Sequence, residues 1–204
     1  VLHTWLVPLV EELKEKRPYL EFELNVEMTH VLNEQVRRGA LDLIFTAAPA
    51  VGQGLDNEAL PPMDMVFVGP AALANTPPLT LNDLLAREIL TFQRGAQPHV
   101  ALLDALRGAG TTDKRVHTIS SISALVKLVE SGFGLATLPL AAARELARRH
   151  DIAALEAALP LTPLPLHASF WRYPAAPALE GAIADALAFA RKIPAAAQGS
   201  AGLG

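Results

Sequence analysis

The sequence predicts an α/β fold made of two lobes that the chain crosses between twice. Three observations carry this. Helical and strand periodicities alternate along the 204 residues, as they do where helices cover a mostly parallel sheet. The alternation falls into two blocks, roughly 1–68 and 71–165, with a pause at Gly69-Pro70. A strand and a helix at 166–193 then return to the first block. Two crossings between two lobes predict a hinged cleft. The expected division is 1–68 plus 167–193 for lobe I and 69–166 for lobe II. Residues 194–204, PAAAQGSAGLG, are expected to be a disordered tail.

The elements follow in order. Residues 1–17 predict a helix, with Leu2, Trp5, Leu6, Leu9, Val10 and Leu13 on one face and a charged face opposite. Pro18 stops it. Leu20, Phe22, Leu24 and Val26 alternate with Glu21, Glu23, Asn25 and Glu27, the pattern of a strand with one buried face. Thr29 is expected to cap a second helix through Val31, Leu32 and Val36, ended by Gly39. Leu41 to Phe45 reads as a short buried strand. Residues 47–62 read as a connection containing Pro and Gly. A strand is predicted over 65–68.

Thr80 and Asp83 form a capping box before Leu84 and Leu85. The strand 89–92 runs into the polar loop Gln93-Arg94-Gly95-Ala96-Gln97. Pro98 suits a first helical position, and Val100, Leu103 and Leu106 give that helix its apolar face until Gly108 and Gly110. The stretch 117–139, HTISSISALVKLVESGFGLATLP, reads as a strand end, a Ser-rich helix start, an amphipathic helix, a glycine stop and a buried strand. A helix follows over 140–150. Leu166, Ala168 and Phe170 alternate as a strand, and Pro177 starts a last helix through Ala190. The first helix has an apolar face but no strand before it. A parallel lobe normally opens with the strand its helix covers, so a first strand is expected upstream of Val1.

Composition narrows the function. Half the residues are apolar, enough for a substantial core. The net charge is −4 with scattered Lys and Arg, so no basic stripe meets a phosphate backbone. There is no cysteine, which excludes disulfides and thiolate metal sites. No apolar run approaches the ~20 residues of a membrane span. The six histidines lack HExxH or other metal spacing. The turn at Gly132-Phe133-Gly134 leaves a helix and enters a strand, the reverse of a dinucleotide loop. No nucleophile elbow or phosphate loop occurs. His99 with Ser120 or Ser121 lacks a third orienting group for nucleophilic catalysis. No catalytic residue, metal or cofactor is expected.

What remains is binding. In open α/β sheets ligands sit at the carboxyl ends of strands. Helix N-termini there carry unpaired amides and partial positive charge, which favour an anion. The candidate contacts are Thr29, Thr46, Gln93, Arg94, Gln97, His99, Ser120 and Ser121. Thr29 has capping as its other role. Ser120 and Ser121, with Ser123 beyond them, offer more hydroxyls than one cap needs. His99 reads equally as a solvated helix residue. Arg94 is a cation whose planar fork suits a carboxylate, or else an ordinary surface charge. A small organic acid is the expected ligand.

Three segments, in this order and spacing, resemble the effector-binding domain of the LysR-type transcriptional regulators. They are WLVPLVEELKEKRPYLEFEL at 5–24, VLNEQVRRGALDLIF at 31–45 and ISALVKLVESGFGLATLP at 122–139. The middle one fits that family's helix, glycine, Leu-Asp and strand pattern through Gly39, Leu41 and Asp42. The resemblance implies two Rossmann-like lobes, as in type 2 periplasmic binding proteins, with a small effector between them. It implies an upstream winged helix-turn-helix that binds DNA, cytoplasmic location, and a homodimer or homotetramer, with no membrane partner. It places a ligand contact at Thr29. It places another, a Ser or Thr in the first strand–helix loop, at Val1 or just before it. A transporter's periplasmic solute-binding protein shares this architecture. So does a prephenate dehydratase-like enzyme, whose Thr-Arg-Phe motif the run Thr91-Phe92-Gln93-Arg94 does not match.

Overall fold

A computed structural model describes residues 5–111, 115–173 and 176–192. Val1 and the segment 194–204 lie outside the described residues. The chain divides into two compact units, Val1–Pro62 with Pro165–Gly204, and Met63–Leu164.

Unit 1 contains helices α1 (Val7–Lys16), α2 (Thr29–Arg37) and α7 (Pro177–Ala190), and strands β1 (Leu43–Thr46), β2 (Leu55–Met63, whose last residue begins unit 2) and β8 (Leu164–Trp171, whose first residue ends unit 2). The strands form one sheet in the order β1-β8-β2. β1 runs antiparallel to β8, with Leu43 opposite Phe170 and Thr46 opposite His167. One side of the sheet carries a core of Trp5, Leu9, Leu13, Ile183 and Leu187, joined by Leu43 and Phe45. Trp5 meets Phe45 edge to face at 4.8 Å between ring centroids. A second cluster holds Val36, Ile44, Ala50 and Leu55. Arg17 ties the end of α1 to α7 by a 2.9 Å bond from Nε to Asp185. Gly181 leaves room for that guanidinium, since a Cβ there would lie 2.4 Å from an Arg17 nitrogen.

Two expectations for this unit are corrected. Residues 20–27 are not a strand: Glu21 to Glu27 are exposed and join no sheet among the described residues. The alternation is present, but a strand needs a hydrogen-bonded neighbour. The connection 47–62 contains β2, masked in the sequence by Pro61 and Pro62. Prolines are tolerated at a sheet edge, and β2 is the last strand in its sheet.

Unit 2 is a five-stranded sheet in the order β5-β4-β6-β3-β7, from β5 (Val116–Ile119), β4 (Glu88–Phe92), β6 (Gly134–Pro139), β3 (Met65–Pro70) and β7 (Ile152–Leu155). β4 is parallel to both β5 and β6, and β3 is antiparallel to β6 and β7. The helices are α3 (Leu81–Leu85), α4 (Gln97–Gly108), α5 (Ile122–Glu130) and α6 (Leu140–Ala147). One core cluster contains Phe67, Leu84, Ile89, Leu102, Leu106 and Leu135. The other contains Leu90, Leu125, Val126, Val129 and Leu138. β6 is buried at every position, as its unbroken apolar run requires. The capping box of Thr80 and Asp83 forms as expected. β3, expected in lobe I, is a strand of this sheet, and β7 adds a strand absent from the sequence reading.

Candidate functional site

The registers of unit 2 bring two candidate loops together. Phe92 at the end of β4 lies beside Ile119 at the end of β5, on parallel strands. The loop after β4 and the loop after β5 therefore emerge side by side at one edge of the sheet. Each leads into a helix, α4 or α5, so two helix N-termini share that edge. Their unpaired amides make it a region of positive potential.

The first loop is a tight turn. The Ala96 amide donates to the Gln93 carbonyl at 3.0 Å, and Gly95 takes φ +83°. A turn with positive φ at its third residue favours glycine there. Arg94 is exposed at the turn and enters no ion pair among the described residues. Gln97 opens α4 with no capping side chain before it. Its Oε1 is buried and has no partner. A side-chain amide can present either its oxygen or its nitrogen to a ligand.

His99 is buried within α4, which corrects the reading of it as a solvated residue. Its Nδ1 accepts from the Gly95 amide at 3.4 Å, a long bond that braces the turn. In the second loop Ser121 is the N-cap of α5, accepting from the Ala124 amide at 3.3 Å. The exposed Ser120 makes no hydrogen bond among the described residues. One serine caps and the other is uncommitted.

Thr29 and Thr46 belong to unit 1. The N-cap of α2 is Met28, in extended conformation and with no side-chain cap, so Thr29 is the first helical residue. This corrects its expected capping role. Its hydroxyl has no bond among the described residues. Thr46 is buried, and its hydroxyl donates to the Ala48 carbonyl at 2.8 Å. That bond holds the loop after β1. The same loop is held by Ser169, which accepts from the Ala50 amide at 3.1 Å and donates to Asn57 at 2.6 Å.

One polar group near Thr46 was missed. His167 faces it across the β1–β8 register, and its Nδ1 is buried without a partner. The alternation of Leu166, Ala168 and Phe170 put His167 on the opposite face, but nothing in the sequence marked its nitrogen as unsatisfied. Among the described residues no group of three or more His, Asp or Glu is placed to hold a metal. No described helix is long and apolar enough to cross a membrane.

Comparison with known proteins adds the following. A family model described as the LysR substrate binding domain matches residues 1–189. The curated HTH-type transcriptional regulator YofA of Bacillus velezensis is 23% identical over 135 residues, or 66% of this chain and 45% of the relative. The BenM effector binding domain with its effector benzoate superposes with a TM-score of 0.74 at 16% identity, over 96% of this chain and 88% of that one. The OxyR2 regulatory domain from Vibrio vulnificus, a mutant form, gives 0.74 at 17%, over 94% and 90%. CbnR, a LysR family transcriptional regulator, gives 0.71 at 18%, over 93% of this chain and 66% of CbnR. These structural likenesses establish the fold. The chain spans less than half the length of the YofA relative.

Proposed function

This chain belongs to the LysR substrate binding domain family, and we propose that it is the small-molecule-sensing part of a LysR-type DNA-binding transcriptional regulator. The proposed effector is a small organic acid. The observation that carries this reading is the shared edge of β4 and β5, with two helix N-termini and three uncommitted polar side chains, Arg94, Gln97 and Ser120. The family favours a sensor over a transporter's solute-binding protein or a prephenate dehydratase-like enzyme.

In this proposal Arg94 meets the carboxylate, Ser120 and the α4 and α5 amides hydrogen bond to its oxygens, and Gln97 reads a second polar group on the effector. Gln93 and Ser121 shape the loops, His99 holds the turn, and Thr29 and Thr46 are the contacts proposed from unit 1. The effector is bound and released unchanged, without cofactor. Binding alters regulation only if the effector prefers one arrangement of the chain over another. DNA is bound by another part of the protein, and the regulator works in the cytoplasm as a homodimer or homotetramer.

The test is calorimetric titration with a panel of aliphatic and aromatic carboxylates, amino acids and neutral sugars. One acid is expected to bind without turnover. A hydrogen bond to a charged group contributes roughly 1.5–3 kcal/mol, so Arg94→Ala is expected to weaken that acid about tenfold or more. Unchanged affinity for every acid in Arg94→Ala would remove the charged anchor. Turnover of the bound acid would replace the sensor with an enzyme.

A further inference from the structure

Four elements of unit 1 hold the loop after β1, and every hold is a side chain. The loop, Ala47-Ala48-Pro49-Ala50, has no polar side chain of its own. None of its residues makes a backbone–backbone hydrogen bond among the described residues. Three successive carbonyls are filled from outside the loop. The Thr46 hydroxyl of β1 donates to the Ala48 carbonyl at 2.8 Å, the Asn33 amide of α2 to that of Pro49 at 3.3 Å, and the Asn57 amide of β2 to that of Ala50 at 3.0 Å. The Ala50 N–H donates to the Ser169 hydroxyl of β8 at 3.1 Å, and that hydroxyl donates to Oδ1 of Asn57 at 2.6 Å. Ala50, Ser169 and Asn57 close a ring in which each donor has its acceptor, and the ring fixes which way the Asn57 amide faces.

The loop's amides are treated differently from its carbonyls. Those of Ala47 and Ala48 donate to no group among the described residues, and Ala48 and Pro49 are exposed. With three carbonyls occupied and two amides open, the loop offers a ligand more donors than acceptors. Successive free amides of this kind favour an anion. The loop leaves the carboxyl end of β1, where ligands sit in open α/β sheets, and it follows Thr46 directly.

We propose that Asn33, Asn57 and Ser169 are positioning residues for the effector: they fix loop 47–50 so that the Ala47 and Ala48 amides meet an oxygen of the bound acid. The proposal rests on the sensor reading above. None of the three touches the acid; each acts through the loop. Three alanines and a proline have no means of their own to hold two amides in place, and ordering a free loop opposes binding. The clamp orders the loop beforehand, as supporting residues do for a preorganised site. A purely structural role would require only Ala50, which is buried in the cluster with Val36, Ile44 and Leu55. Asn33 holds instead the carbonyl of the exposed Pro49, where there is no core to keep.

The test is calorimetry on the 204-residue chain and on its Asn33→Ala, Asn57→Ala and doubly substituted variants, well below their melting temperatures. The probes are benzoate, succinate and glutamate, with benzamide, succinamate and glutamine, in which one carboxylate is an amide. For the acid that the parent binds most tightly, each single variant is expected to weaken binding roughly two- to tenfold, and the double variant further. The preference for that acid over its amide should shrink by a similar factor. Exchange of the Ala50 amide should speed up about fivefold or more in Asn57→Ala. A lower melting temperature with unchanged affinity would make the clamp structural only and overturn the proposal. So would equal weakening of the acid and its amide, because the lost donors would then not face a carboxylate. A parent chain that binds none of the acids would overturn the sensor reading together with the proposal. Equal binding of one acid by the parent and all variants would overturn the positioning role alone.

Discussion

Thr91 and Thr137 offer a sharp test of how the centre of unit 2 is held. They lie on neighbouring strands β4 and β6, are 0% and 1% exposed, and share a hydrogen bond of 2.8 Å between hydroxyls. Thr91→Val removes one hydroxyl with little change of shape and leaves the other buried without its partner. That costs roughly 1–3 kcal/mol. Thr137→Val leaves the mirror defect and a similar cost. The double variant removes both polar groups and places two methyl-bearing side chains together, which is expected to be nearly neutral. If each single variant costs about 2 kcal/mol and the double about 1, the coupling is about 3 kcal/mol. That is far above the ~0.5 kcal/mol scatter of independent sites. At about 2–4 °C per kcal/mol, each single variant should melt roughly 4–8 °C below the parent, and the double variant less far below it. Urea unfolding should be followed by circular dichroism, since Trp5 and Trp171 both lie in unit 1. Single-variant losses that simply add in the double variant would refute the claim that the pair is one satisfied unit.

Other expectations follow from the same kind of argument. Ser121→Ala should cost about 1 kcal/mol of stability through loss of the α5 cap, whereas Ser120→Ala should change stability by less than ~0.5 kcal/mol and weaken the effector instead; calorimetry and unfolding on both variants separate the two roles. Gly134→Ala should destabilise by about 1–3 kcal/mol, because its Cβ would lie 2.3 Å from the Glu88 carbonyl oxygen on the neighbouring strand; unfolding midpoints in urea check this. The Asp151 amide, aided by His150, holds the Glu130 carboxyl below its ordinary pKa. Glu130 therefore contributes stability above the ordinary carboxylate range and loses it as the pH falls through its depressed folded pKa. Glu130→Gln should flatten the melting-temperature profile on the acid side and leave its slope above neutrality unchanged.

The sequence made most of the architecture legible where local and tertiary signals agreed. The run at 117–139 combined a strand, a Ser cap, an amphipathic helix and a glycine stop, and the structure reproduces each. Three failures have distinct physical causes. In β2, Pro61 and Pro62 signalled a break, although an edge strand needs a donor on one side only. β7 is four residues of Ile, Ala and Leu, too short for alternation to separate it from a loop. Residues 20–27 failed the other way, with a clear local pattern and no hydrogen-bonding neighbour. At the candidate site, residue types at strand ends pointed to the loops after β4 and β5, and the β4–β5 register is what sets Gln93 to Gln97 beside Ser120 and Ser121. The roles of individual side chains were less legible. Which serine caps depends on backbone angles, and the burial of His99 depends on how α4 packs. The unsatisfied Nδ1 of His167 arises from cross-strand placement that no local pattern encodes.

The prolines that hid β2 have a further effect on how the protein behaves in concentrated solution. Pro61 and Pro62 cannot donate backbone hydrogen bonds, so the outer margin of β2 is a poor template for sheet growth between molecules. Among the described residues no strand pairs with the far margin of the same sheet and no proline lies in it. β1 carries the sequence Leu43-Ile44-Phe45-Thr46, apolar, strongly strand-forming and free of charge or proline, the composition that promotes intermolecular stacking. Self-association of the 204-residue chain should therefore begin at β1 and leave β2 untouched, so a charge placed at the β1 margin is the change most suited to keeping it soluble.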